Sequence, residues 1–265
     1  MVRGNLLAGS LVALMACSGA LALDRPDLWP GLAKDIFASK AISKDADIAT
    51  LEAPARAEDA AIVPMTINLA KPATQVRKAT LVIDQNPAPM AASFTIGANS
   101  GLTQISTRVR VNDYTEVHLV SETTDGSLHM VERFVKAAGG CSAPSVKSLD
   151  EANANIGQMK FRTIAASDLG DARRREAQIM IRHPNNSGLQ MDQVTRLYIP
   201  ARYIDQVKVT QGDDLIFQME GGISISEDPN FRFTFVPNGS KTITVEAHDT
   251  DGKVWRSQFP IEGAS

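Results

Sequence analysis

Apolar and polar positions alternate with period two along much of the chain. In Ala92-Ser93-Phe94-Thr95-Ile96 and in Val117-His118-Leu119 every second side chain is apolar, the pattern of a strand with one buried face. Such runs predict strands over Ile62–Leu69, Lys78–Asp84, Ala91–Ile96, Gln104–Val111, Glu116–Ser121 and Leu128–Val135. Turn residues such as Asn86-Pro87 and Thr124-Asp125-Gly126 separate them. The same texture returns further on, predicting strands over Ala177–Arg182, Gln206–Thr210, Asp214–Met219, Arg232–Val236, Thr242–Ala247 and Val254–Phe259. Leu32, Ile36 and Phe37 recur at helical spacing within Leu28–Ala41, which predicts one short N-terminal helix. Between the two halves Ser148–Arg175 is polar and reads as a linker with helical pieces. The expected fold class is all-β, two sandwiches in tandem.

The halves echo each other. Thr123-Thr124-Asp125-Gly126 and Asp249-Thr250-Asp251-Gly252 each join what read as the last two strands of their half, and Asp-Gly between alternating strands is a strong hairpin signal. If Asp125-Gly126 forms a two-residue turn, His129 faces Glu122 and His118 faces Arg133; the same count places His248 opposite Trp255. The histidines are therefore not paired, and with no HxH or HExxH spacing no metal site is expected. His183, before Pro184, reads as structural, and Asn185-Asn186-Ser187 and Asn238-Gly239-Ser240 as turn chemistry. No phosphate-binding glycine loop opens a helix.

Composition changes the picture mainly by exclusion. The chain carries a net charge of −3, which argues against a protein that coats nucleic acid. The Arg173-Arg174-Arg175 run reads as a solvated boundary. Met1–Ala22 has the form of a secretory signal: Arg3, an apolar run from Leu6 to Ala16, then Ala20-Leu21-Ala22 as a cleavage site. A lipoprotein signal ending at Cys17 is the alternative. Export to the periplasm is the expectation by either route.

Of two cysteines, only Cys141 then remains as a free thiol, with no partner for an internal disulfide. It lies in Gly139-Gly140-Cys141-Ser142-Ala143-Pro144. Glycines before it and small residues and a proline after it predict an exposed, mobile arm rather than a strand or helix interior. Arg133, Lys136 and Lys147 are near in sequence and would favour the thiolate. A loose mount does not suit a cysteine hydrolase, which needs a rigid nucleophile and oxyanion hole, and a reductase would carry a resolving cysteine. A mobile arm suits covalent carriage, with Cys141 as the attachment point, Gly139 and Gly140 as the flexible arm, and no catalytic residue; a peroxidatic thiol enzyme is a competitor.

These residues resemble the SoxY and SoxZ proteins of periplasmic sulfur oxidation, here in one chain. In SoxY an Ig-like sandwich ends in a Gly-Gly-Cys-Gly-Gly arm whose cysteine carries sulfur intermediates; the counterpart is Gly139-Gly140-Cys141. Ala57–Pro64 looks like the SoxY segment entering a strand. Ile181-Arg182-His183-Pro184, Ile199–Ile204 and Val207-Lys208-Val209 look like SoxZ, a second Ig-like sandwich. The fused arrangement with Gly-Gly-Cys-Ser-Ala-Pro looks more closely like SoxYZ-like carriers associated with quinoprotein dehydrogenases. Here the arm continues into the linker, and Ser142-Ala143 replace two glycines.

The resemblance implies four segments: 1–22 signal peptide, 23–138 SoxY-like sandwich, 139–172 cysteine arm and linker, 173–265 SoxZ-like sandwich. It implies a non-enzymatic thiol carrier without a cofactor of its own. The implied partners are periplasmic redox enzymes: a quinoprotein dehydrogenase, a c-type cytochrome or Sox-type enzymes. No nucleic acid and no membrane span are expected. A non-covalent assembly module for a dehydrogenase, with the cysteine incidental, is the competing reading.

Overall fold

The computed structural model describes residues 26–144, 154–164 and 173–261; the signal-peptide segment lies outside them. The first half contains helix α1 (Trp29–Phe37) and strands β1 (Ile42–Lys44), β2 (Ala49–Glu52), β3 (Val63–Leu69), β4 (Val76–Ile83), β5 (Met90–Ile96), β6 (Gln104–Val109), β7 (Thr115–Thr123) and β8 (Leu128–Val135). The second half contains β9 (Met159–Ile164), β10 (Arg175–Ile181), β11 (Ile204–Gln211), β12 (Asp214–Gly221), β13 (Asn230–Phe235), β14 (Thr242–Asp249) and β15 (Val254–Pro260). The protein is all-β, with two Ig-like sandwiches in tandem.

The sandwiches are not merely strung together. One nine-stranded sheet runs β1-β8-β7-β4-β5-β12-β11-β14-β15 and one six-stranded sheet runs β2-β3-β6-β13-β10-β9. Each passes from one half into the other through an antiparallel seam: β5 with β12, where Phe94 faces Met219, and β6 with β13, where Ile105 faces Phe233. The pairing leaves neither half with a free strand edge at the junction. Between the sheets, Phe94 of the first half meets Phe217 and Phe231 of the second edge-on, at ring distances of 6.2 and 6.3 Å. One continuous buried cluster therefore serves both halves.

The two Asp-Gly hairpins have the same geometry. Thr123 N donates to Ser127 O at 3.0 Å and Gly126 N to Thr123 O at 2.9 Å; Asp249 N donates to Lys253 O at 3.0 Å and Gly252 N to Asp249 O at 2.9 Å. Gly126 (φ 87°) and Gly252 (φ 76°) occupy the left-handed region, so each loop has three residues, a type I turn closed by a glycine bulge. This corrects the register expected from a two-residue turn. His129 faces Ser121, His118 faces Glu132 and His248 faces Val254.

Helix α1 starts at Trp29 and stops where Ala38 turns left-handed. Its Trp29 and Phe37 cover Val120, Leu128 and Met130 on the outer face of the nine-stranded sheet. Trp29 stacks on the buried His118 ring at 3.8 Å, and His118 Nε2 lies 3.1 Å from Asp84 Oδ2. Three short or linker strands were not expected: β1, β2 and β9, the last within the segment read as a linker with helical pieces.

Candidate functional site

Beyond β8 the chain turns inward. Lys136 pairs with Arg56, and Gly139 N then donates to Asn112 O at 2.8 Å and Gly140 N to Val111 O at 3.0 Å. Gly139 has φ 75°, and the Ser142 backbone and hydroxyl both donate to its carbonyl at 3.2 Å. At Gly140 a Cβ would lie 2.0 Å from Ala60 O and 2.6 Å from Val111 O, so nothing larger than glycine fits against the segments that lead into β3 and out of β6. The pair expected to loosen an arm instead forms a tight, hydrogen-bonded turn.

Cys141 follows, and its exposure is 0%. This corrects the expectation of an exposed thiol. Side chains of the second half hold the backbone around it. The Ser187 hydroxyl donates to Cys141 O, Gln190 Nε2 donates to Ala143 O at 3.0 Å, and Gln190 Oε1 accepts from Ser187 N at 3.0 Å. Ser187 and Gln190 are themselves buried. They sit just past β10, beyond the His183–Asn185 corner, where His183 Nδ1 lies 2.7 Å from Asn185 Oδ1 and 3.0 Å from Asn185 N. Burial lowers the His183 pKa, opposed by its hydrogen bonds to Asn185 and Asp249. The His183 ring is buried within this corner.

The charge that acts on the thiol comes from Arg110. Arg110 is 2% exposed; its Nη1 donates to Ile225 O at 2.7 Å, while Nε has no hydrogen-bond partner among the described residues. Its backbone is fixed between Ser224 O, at 2.7 Å, and the Asn86 side chain, also at 2.7 Å. Burial pushes the Cys141 thiol up to about 11 against a partial pull from Arg110, and burial lowers the arginine in turn, opposed by Cys141 and Glu227. At pH 7 the buried thiol is then held in its protonated form. Arg133 and Lys136 do not act on the sulfur, and Lys147 lies outside the described residues.

Arg110, Ser187 and Gln190 were not singled out from the sequence. Arg110 follows Arg108 at strand spacing, so it reads as a second outward charge. It is buried because the chain leaves β6 at Val109 and packs against Ser224–Ile225. Asn185-Asn186-Ser187 looks like any polar turn until the fold brings Ser187 to the cysteine. Among the described residues no three His, Cys, Asp or Glu side chains are placed to hold a metal.

Comparison with known families decides what this arrangement belongs to. The family described as "Sulfur oxidation protein SoxY" matches residues 33–141, ending on the cysteine, and "Sulphur oxidation protein SoxZ" matches residues 164–260. The chain is a fused SoxY–SoxZ protein. No curated protein matches it. Among solved structures it is similar to the crystal structure of a beta-glycosidase from Bacteroides vulgatus, with 9% identity, a TM-score of 0.25, and coverage of 82% of this chain and 25% of that one. The chain spans a quarter of that protein, and so low a TM-score carries no argument. Membership ties both halves of this SoxYZ protein to families described as sulfur oxidation proteins. Sox proteins are typically periplasmic, and no helix of the described residues is long and apolar enough to cross a membrane.

Proposed function

We propose that this SoxYZ protein is a periplasmic, non-enzymatic sulfur carrier that holds its cargo covalently on Cys141, and that its own second half covers the thiol between loading events. The observation that carries this reading is how the cysteine is covered. Ser187 and Gln190 hold the backbone carbonyls of Cys141 and Ala143, so the second half contributes two hydrogen bonds to keeping the tip closed, beside those that Gly139 and Gly140 make within the first half. Net hydrogen bonds of this kind are worth about 1 kcal/mol each, within reach of a docking partner.

Loading joins the Cys141 sulfur to a sulfur donor. The thiol and an anionic donor X–S⁻ give R–S–S–X, releasing one proton and two electrons. The electrons pass to a periplasmic redox partner, a c-type cytochrome or quinoprotein dehydrogenase, which owns the cofactor. Arg110 supports the step in two ways: its charge favours the thiolate as the tip opens, and its unpartnered Nε can receive an anionic adduct. The likeness of Gly-Gly-Cys-Ser-Ala-Pro to carriers associated with quinoprotein dehydrogenases supports the choice of partner.

The complete burial of Cys141 favours a second reading, an assembly module in which the cysteine is a small core hydrophobe. Intact mass of the protein purified from its native periplasm, with and without reductant, separates them. A reducible added mass on Cys141 is expected. Cys141→Ser should abolish sulfur oxidation while leaving partner binding intact. If native protein carries no adduct and the folded thiol resists alkylation until unfolding, covalent carriage is refuted and the assembly module stands.

A further inference from the structure

The outer face of the six-stranded sheet presents a cluster of positive charge that nothing in the carrier reading uses. Its side chains fall in rows set by the strand register. Across the end nearest the Cys141 turn run Pro64, Arg108, Met180 and Lys160, with Asn230 between Arg108 and Met180. Two residues further along come Thr66, Ser106, Arg232, Gln178 and Arg162. Within these rows Arg232 is paired with Glu176, while Arg162 reaches only the Gln178 amide oxygen, at 2.7 Å. Arg108, Arg162 and Lys160 have no carboxylate partner among the described residues. The other acid on this face, Glu52, stands at the far edge on β2 and accepts from Asn68 at 2.7 Å. Nearby, Arg182 is neutralised by Asp228 at 2.6 Å.

Two shallow basins open between these cations. One of about 260 Å³ is lined by Arg108, Arg232, Asn230 and Ser106, and one of about 320 Å³ by Lys160, Arg162 and Met180. The patch spans the seam: Arg108 lies on β6 of the SoxY half, whereas Arg232, Arg162 and Lys160 lie on strands of the SoxZ half. It also opposes the net charge of the whole chain, −3, so it is a local feature and not an average.

We infer that this face is a docking surface for an acidic face of a partner protein. Extent decides for a protein over a small oxyanion. From β6 to β9 there are three strand spacings, about 14 Å, and a small oxyanion can bridge only neighbouring cations within that distance. An extended acidic surface engages Arg108, Arg162, Lys160 and both basins together, with the half-buried Met180 and exposed Pro64 as apolar contacts between them. The rows lie at the Cys141 end of the sheet, so a partner seated there lies beside the covered turn. Complementary charge of this kind mainly raises the association rate and sets orientation. The inference does not depend on what Cys141 carries.

The test uses the full-length protein and two probes, poly-L-glutamate and inorganic sulfate, titrated from low to physiological salt. Saturable binding of poly-glutamate that weakens with salt is expected. Arg108→Glu/Lys160→Glu/Arg162→Glu should weaken it by about tenfold or more. Lys208→Glu/Lys253→Glu/Arg256→Glu, the same charge change placed on the other sheet and its last hairpin, should weaken it far less. The milder Arg108→Gln/Lys160→Gln/Arg162→Gln should give an intermediate loss and guards against misfolding of the reversed variant. Equal losses from both reversals would reduce the effect to net charge and overturn the proposal. Saturable sulfate binding without poly-glutamate binding would overturn it in favour of a small-anion site, and no saturable binding of either probe would overturn it outright.

Discussion

Burying the Arg110 guanidinium is costly because its charged form loses hydration, and the same loss of hydration holds the buried Cys141 thiol in its neutral form. Arg110 has one carbonyl at 2.7 Å and an Nε with nothing to donate to among the described residues. Replacing it by methionine should push the thiol still higher and slow alkylation at pH 8, measured against the native protein at equal unfolding stability. The thiol itself links stability to alkaline pH. Its folded pKa of about 11 stands above the ordinary thiol value of 9.0, so its contribution is fully present below pH 9 and is lost as pH rises through 11. The loss reaches about 2–3 kcal/mol. Urea denaturation between pH 8 and 11 should show this extra slope in the native protein and not in Cys141→Ala; equal slopes would mean the thiol is not buried in solution.

At the scale of elements, the two glycines before the cysteine make opposite predictions. Gly139 needs a left-handed backbone but has open space beside it, since a methyl group there would stand 3.9 Å from Ser142 Oγ; Gly140 has no room. Gly139→Ala should cost about 1–2 kcal/mol. Gly140→Ala must displace the backbone at Ala60 or Val111 and should cost more, read as the larger fall in melting temperature and a faster-reacting thiol. Ser187→Ala removes the bond to Cys141 O, and about 1 kcal/mol of lost cover corresponds to about fivefold faster alkylation of the folded protein. An unchanged rate would show that Ser187 does not gate the thiol.

Most strands were legible because period two survives wherever one face is buried, and β8 was expected with the bounds it has. Met159–Ile164 carries the same alternation, but its polar setting made it read as linker. β1 and β2, with three and four residues, are too short for periodicity to register. The hairpins were legible in kind but not in length, since Asp-Gly serves both two-residue turns and three-residue loops with a bulge. The cysteine was legible and its setting was not. Small residues permit either a loose chain or an unusually close approach of backbones, and only the packing of Ala60 and Val111 against Gly140 distinguishes these. Ser187 and Gln190 are 46 or more positions away from the atoms they hold, a separation across which local pattern carries no information.

For the whole molecule, the seams matter more than the linker. Severing the chain within 145–153 leaves β5–β12 and β6–β13 paired and the phenylalanine cluster closed. The two fragments should therefore co-elute as one species under native conditions and unfold in a single transition. Phe217, fully buried against Phe94, Phe231 and Phe233, is the place to test this shared core. Phe217→Ala should cost about 3–5 kcal/mol and destabilise both halves together; loss of the second half alone would show that they fold separately.

Joining the two seams within one polypeptide also removes concentration as a variable. Two separate subunits meeting along such edges would obey a dissociation constant, and dilution would strip some cysteine-bearing subunits of their partners. A tether raises the effective local concentration to about the millimolar range, whatever the abundance of the protein. Every Cys141 then has its own Ser187 and Gln190 at fixed one-to-one stoichiometry, and the supply of covered thiol scales with a single gene product.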